Sequence, residues 1–331
     1  MTESESRASV TDETDVVVVG GGPAGCSAAV FTARYGLDTV VFDRGNAALP
    51  RCAYLENYLG FPAGMDVDAF RDLMHAHVEE VGATLLADMV VAVERAEDTS
   101  GFVVETQDGR RVGAESVIAA AWYDGSYLRG LDDEDEMFHE HEHHGELEEH
   151  FDPAYADADG RTPVDGLYVA SPAGGRSAQA IVAAGNGAHV ARSLIEDERR
   201  ARGLSGEVAP EYDWLRSESE FTGEWAERDR WREWFENEFD ADGVDDERRR
   251  ELRERYIDRA FETKVGDEEA DRRFESGLAR FVAVVGRDRV LDAIGTDRVV
   301  EALDDQTLLE ELDDETIAEY LEKSADEPDA S

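Results

Sequence analysis

Residues 15–30 read DVVVVGGGPAGCSAAV. A β-branched run with no polar alternation marks a strand buried on both faces, as in a parallel sheet. The valines end at Gly20, and Gly20, Gly22 and Gly25 fall in the pattern G-x-G-x-x-G. Each glycine has its own task in that pattern. The first allows a tight turn out of the strand, the second lets backbone approach a pyrophosphate, and the third lets the following helix pack on the strand. Small helix formers follow, and Gly36 closes a helix over 24–35. The N–H groups of its first turn are suited to an anion. TVVFD (39–43) reads as a second strand ending in Asp43, about 20 residues beyond the loop, where a carboxylate can accept hydrogen bonds from a ribose. Strand, loop, helix and strand make a βαβ unit of about 30 residues. The loop alone does not choose between FAD and NAD.

Working outward, helical periodicity returns at 67–81 through Phe70, Leu73, Met74, Val78 and Val81. VVAV (90–93), GFVVET (101–106) and RRVG (110–113) then read as three short strands separated by turns. SVIAAA (116–121) reads as a further buried strand. The stretch 132–159 is acidic, His-rich and poor in apolar residues, and is expected to be a connection, partly disordered. PVDGLYVA (163–170) turns into a strand, and a glycine-rich loop leads into an Ala-rich helix from about 177 to 198. From 205 to 325 the pattern is helical. Trp231, Trp234, Phe235 and Phe239 share one helical face, the expected core of a small module. Nine-residue units repeat over 288–323, with apolar pairs Val290/Ile294, Val299/Leu303, Leu308/Leu312 and Ile317/Leu321. One such unit cannot bury its own face, so the units are expected to cap this chain, or alternatively to dock on a second copy or another subunit.

Composition narrows the setting. Asp and Glu number 79 against 33 Lys and Arg, giving a net charge of −46, and the only lysines are Lys264 and Lys323. Such a surface repels nucleic acid phosphates and anionic lipids, and its self-repulsion weakens the fold at low salt. The pattern resembles proteins of salt-loving archaea. No run of about 18 apolar residues is present to span a membrane, and residues 1–13 are polar, acidic and expected to be disordered. A cytoplasmic protein is the expectation. Two cysteines, Cys26 and Cys52, form neither a C-x-x-C pair nor a zinc pattern, which fits reduced thiols.

Four segments in order resemble the FAD-binding half of the thioredoxin reductase family, within the pyridine nucleotide-disulfide oxidoreductase superfamily. GGGPAGCSAAVFTARYGLDTVVFDRG (20–45) is similar to its first βαβ unit, and LENYLGFPAGMDVDAFRDLMHAHVEEVGATL (55–85) to its E-N-(Y/W)-P-G-F segment and the helix after it. The strands at 90–121 resemble its meander and the entry to its A-T-G motif, and DGLYVASPAGGRSAQAIVAAGNGAHVA (165–191) its last strand and helix. The resemblance implies an α/β fold, a Rossmann-like FAD-binding domain built as a parallel sheet with a three-stranded meander. That domain would be discontinuous, 14–131 and 160–198, with an all-α C-terminal module beyond it. It implies diphosphate contacts from Gly20, Gly22, Pro23, Ala24 and Gly25, and adenosine-ribose contacts from Asp43 and Arg44. It further implies an adenine contact from the Val90 backbone, a cofactor contact from Ala121 in the A-T-G segment, and flavin-side positions at Asn57, Gln179 and Ala180. A helix N-terminus at Gln179 and Ala180 would stabilise negative charge on a reduced flavin.

The pattern also departs from that family. A complete NADPH-binding domain with a second glycine fingerprint and a redox C-x-x-C is expected between the two FAD segments, where this chain has only 132–159. The family's G-D before the last helix reads Ser171-Pro172, and the glycine of A-T-G is replaced by Trp122. Thioredoxin reduction by the dithiol mechanism is therefore not expected. The expected function is a FAD-dependent oxidoreductase whose electrons come from transiently bound NAD(P)H or a partner such as a ferredoxin. The alternative is a degenerate nucleotide-binding or scaffold protein acting through its helices. Cys52, in the loop before Asn57, is a candidate redox thiol, and Cys26 is expected in the core. His139, His141, His143 and His144 are candidate metal ligands, though a solvated linker explains them as well. His75 and His77 are expected at the surface.

Overall fold

The computed structural model describes residues 12–45, 48–97, 101–121, 125–143, 146–170, 179–240, 243–303, 306 and 316–318. The chain divides into two units, one ending at Phe274 and the other beginning at Glu275.

The first unit begins with β1 (Asp12–Val19), α1 (Pro23–Tyr35), β2 (Thr39–Phe42), α2 (Val67–Glu80) and β3 (Thr84–Leu86). β4 (Val90–Arg95), β5 (Phe102–Thr106) and β6 (Arg111–Ala119) follow, then α3 (Glu134–Met137), β7 (Phe138–His143), β8 (Glu146–Phe151), β9 (Leu167–Val169) and α4 (Ala180–Ala201). The main sheet runs β3-β2-β1-β6-β5-β4, with β9 also paired to β6. β3, β2, β1, β6 and β9 are parallel to their neighbours, and β4-β5-β6 is an antiparallel meander. This is the Rossmann-like arrangement that the opening stretch predicts. Val16 and Val18 point to one core, with α1 and α4, and Val17 and Val19 point to the other, with Phe102, Phe138 and Phe151. Both faces of β1 are covered, which is why its valines do not alternate with polar residues.

Three features differ from the sequence expectation. RRVG and SVIAAA are one strand, β6. Its Arg111–Ala114 half pairs with β5, and its Val117–Ala119 half pairs with β9, while β1 runs along the other edge. β3 has no counterpart in the sequence pattern. Its three residues carry no alternation, and it exists because β2 offers a parallel edge. The 132–159 connection holds a β-hairpin, β7 paired with β8 from Phe138↔Phe151 to His143↔Glu146. Its acidic composition hides the few apolar residues that dock it, Met137, Phe138 and Phe151, all buried.

Beyond α4 lies a helical module with α5 (Arg228–Glu238) and α6 (Asp246–Glu262). Phe235 and Phe239 pack with Val208 and Leu252, while Trp231 packs with Phe221 and Ile257, so the aromatic face expected as core is core. Arg199 on α4 joins the module to the sheet domain. It is 3% exposed, donates to the carbonyls of Val208 and Ala209, and pairs with Glu211, which also accepts from Arg259 on α6. Arg34 of α1 makes a bidentate pair with Asp213 at 2.5 and 2.8 Å.

A helix at Asp267–Val285 spans the boundary between the units. Of the nine-residue units, the first two form helices at Arg287–Ile294 and Thr296–Ala302. Most of the last two lies outside the described residues. Leu291, Ile294, Val300 and Leu303 are exposed.

Candidate cofactor-binding site

The loop from Gly20 to Gly25 is as tight as its glycines require. Gly20 has φ +118°, and a Cβ there would lie 2.7 Å from the Ala120 carbonyl oxygen. A Cβ on Gly25 would lie 1.7 Å from the Gly20 carbonyl oxygen, so only glycine lets α1 start so close to the strand. Gly22 is the opposite case, since a Cβ there would meet nothing within 4 Å. It caps α1 with no side-chain hydrogen bond, and Pro23 occupies the first turn. Among the described residues, the N–H groups of that turn are therefore available to an anion. Ala121 stands against Gly20 at the end of β6, buried to 4% exposure.

Asp43 follows β2 and is held on three sides. Its N–H donates to the Leu86 carbonyl, its Oδ1 accepts from the Gly45 N–H at 2.9 Å, and its Oδ2 lies 3.6 Å from His75 Nε2. His75 Nε2 is also 3.1 Å from the Gly21 carbonyl. His75 is thus not a plain surface residue, contrary to the sequence expectation. It sits on α2 one turn beyond Arg71, and both line a cleft of about 560 Å³ with Asp43, Arg44, Met89 and Gln107. The sequence carries a signal in the i, i+4 spacing of two basic groups on one face of α2, but nothing local says which element that face meets. Val90, just beyond Met89, is buried at the start of β4.

The other end of the site brings together two residues far apart in sequence. Asn57 Nδ2 donates to Gln179 Oε1 at 2.7 Å, and Gln179 caps α4. Ala180, the first residue of α4, packs on Leu55, Val67 and Phe70. α4 itself lies tightly on α1, because Gly187 leaves no Cβ to strike the Ala24 carbonyl, which would be 2.0 Å away. Trp122, Ser171 and Pro172 lie outside the described residues.

The thiols divide. Cys26 is buried, its S–H donates to the Gly21 carbonyl at 3.2 Å, and burial, helped by the Asp43 charge, pushes its pKa up to about 12. It is a packed core group, as expected. Cys52 is exposed, with its S–H toward the Tyr54 carbonyl, and the two cysteines are unpaired. His139 sits opposite His150 in the hairpin register, and His141 and His143 are opposite Glu148 and Glu146. His144 lies outside the described residues. Among the described residues no three His, Cys, Asp or Glu side chains converge as a metal site. No helix among them is long and apolar enough to cross a membrane.

With this geometry in place, the fold and loop define a dinucleotide-type Rossmann domain. Residues 14–68 match the profile of the pyridine nucleotide-disulphide oxidoreductase family. A thioredoxin reductase of Streptomyces coelicolor is 36% identical over 135 residues, 39% of this chain and 40% of that protein. One of Aquifex aeolicus is 34% identical over 109 residues, 32% of this chain and 33% of that protein. The chain thus matches well under half the length of these relatives. Among solved structures, a thioredoxin reductase from Gloeobacter violaceus is similar with a TM-score of 0.47 at 18% identity, covering 62% of this chain and 98% of that one.

Proposed function

We propose that this chain binds FAD at the Gly20–Gly25 loop and acts as a FAD-dependent oxidoreductase. The observation that carries the reading is the contrast within the loop, where Gly20 and Gly25 are sealed by backbone while a Cβ on Gly22, at the start of α1, meets none of the described residues within 4 Å. The diphosphate would sit there, the adenosine in the cleft beside Asp43 and Arg44, and the flavin toward Asn57 and Gln179. When bound, the flavin supplies hydride or single-electron transfer, and the protein supplies binding and electrostatics. The α4 N-terminus would stabilise negative charge at the flavin's edge.

The sequence contains no C-x-x-C, so electrons would leave the flavin by another route than a thioredoxin-type dithiol. NAD(P)H bound in passing, or an electron-carrier protein, is the proposed donor. The unpaired cysteines and the carboxylate-rich composition speak for a reducing, salt-rich cytoplasm. A second reading is a nucleotide-binding scaffold, favoured by the exposed Leu291, Ile294, Val300 and Leu303 in the second unit.

The visible spectrum of the protein purified in molar salt separates the two. The first reading expects flavin absorbance in the wild type and its loss in Gly22→Trp, whose ring would occupy the space beside the loop that the diphosphate needs. A colourless wild type that takes up no added FAD would overturn it.

A further inference from the structure

The helical module contains a second cleft, unconnected with the proposed FAD chemistry, of about 840 Å³. That is the size of a small-molecule site. Six aromatic side chains wall it, Tyr212, Trp214, Trp225, Trp231, Trp234 and Tyr256. Four of the six already hold a cation of the chain itself. Arg230 lies 4.7 Å above the Trp225 ring, Arg192 5.3 Å above Tyr212, Arg216 5.6 Å above Trp231 and Arg199 5.9 Å above Tyr256. Among the described residues Trp214 and Trp234 carry none, and Trp214 is 58% exposed despite its size.

The charge in the cleft is equally uneven. Among the described residues, Glu207, Glu220 and Glu238 line it against a single cation, Arg216, which is engaged with Trp231, and none of the three glutamates has an ion-pair partner. Some carboxylates elsewhere in the module are matched by arginine, as with Glu254 beside Arg232 and Glu236 beside Arg253.

From these observations we infer that the cleft binds a small organic cation bearing a methylated ammonium, held by the indoles of Trp214 and Trp234 and the field of the three carboxylates. An indole face attracts a cation through its quadrupole, most strongly where water is excluded. A methylated ammonium is only weakly hydrated and lays apolar methyl groups on the rings. An inorganic cation keeps its water and gains little from an indole, and an anion is repelled by the carboxylates.

Choline is the probe, titrated into the full-length protein in concentrated potassium chloride while tryptophan fluorescence and binding heat are followed. Its neutral carbon isostere, 3,3-dimethylbutan-1-ol, is titrated in parallel. The expected result is saturable binding of choline, with the isostere about tenfold weaker or more. Trp214→Ala, at an exposed position that leaves the core intact, should weaken choline binding by a similar factor with an unchanged circular dichroism spectrum. Glu220→Gln should weaken it by less. Equal binding of choline and the isostere, no saturable binding of choline, or undiminished binding by Trp214→Ala would each overturn the inference.

Discussion

Gly22 and Gly25 stand three positions apart, yet their replacement should have unequal results. Gly25→Ala drives a methyl into the Gly20 carbonyl, which is backbone and cannot swing away. A loss of about 3 kcal/mol in urea-unfolding free energy is expected, the upper end for overpacking. Gly22→Ala, whose Cβ meets none of the described residues within 4 Å, should cost only about 1 kcal/mol, the loss of a favoured helix-cap residue. Cys26 gives a pH signature. Its thiol pKa is raised to about 12 in the folded protein against 9.0 when unperturbed. The folded state therefore favours the neutral thiol. Its contribution is complete below about pH 9 and is lost as pH climbs toward 12, by about 1.4 kcal/mol per pH unit. Cys26→Ala should flatten that part of the stability curve relative to wild type. At this scale the sequence is informative where roles are local. The three glycines and Asp43 are legible because turn, helix and acid lie in one short segment. Asn57 and Gln179 are legible only through resemblance, since nothing in their own neighbourhoods says that they meet. His75 is illegible, because its role depends on where α2 packs.

Elements explain the remaining differences. A strand buried on both sides, such as β1, is easy to read from its unbroken apolar run, whereas β3 exists only by virtue of its neighbour. β6 reads as two strands because its partner on one edge changes from β5 to β9 along its length. The hairpin of β7 and β8 is the least legible element, since its composition is that of a solvated connection and its docking depends on a few aromatic residues. Phe138 and Phe151 meet edge to face, with centroids 5.9 Å apart, and both are buried. Phe151→Ala should therefore cost about 3–5 kcal/mol, measured by chemical denaturation. A hairpin that merely decorated the surface would lose far less.

The whole molecule is governed by its net charge of −46. Self-repulsion of this size opposes every compact state, so the melting temperature should rise by about 10 °C or more between roughly 0.1 M and 2 M potassium chloride. Calorimetry across that range checks it, and a flat response would show that the carboxylates are not destabilising one another. This property is legible in the composition alone. The seam at Arg199 is not, because its partners Val208, Ala209 and Glu211 lie in an irregular stretch between domain and module. That seam has a further consequence. At 1 M salt the ion atmosphere shrinks the reach of an exposed charge to about 3 Å, and pairs such as Arg202 with Glu198 lose most of their pull. The Arg199 side chain is only 4% accessible and that of Glu211 13%, so dissolved ions screen this pair much less. The brine that mutes the surface leaves this joint largely intact, and the module's grip on the domain becomes an electrostatic bond that concentrated salt erodes far less than its exposed neighbours.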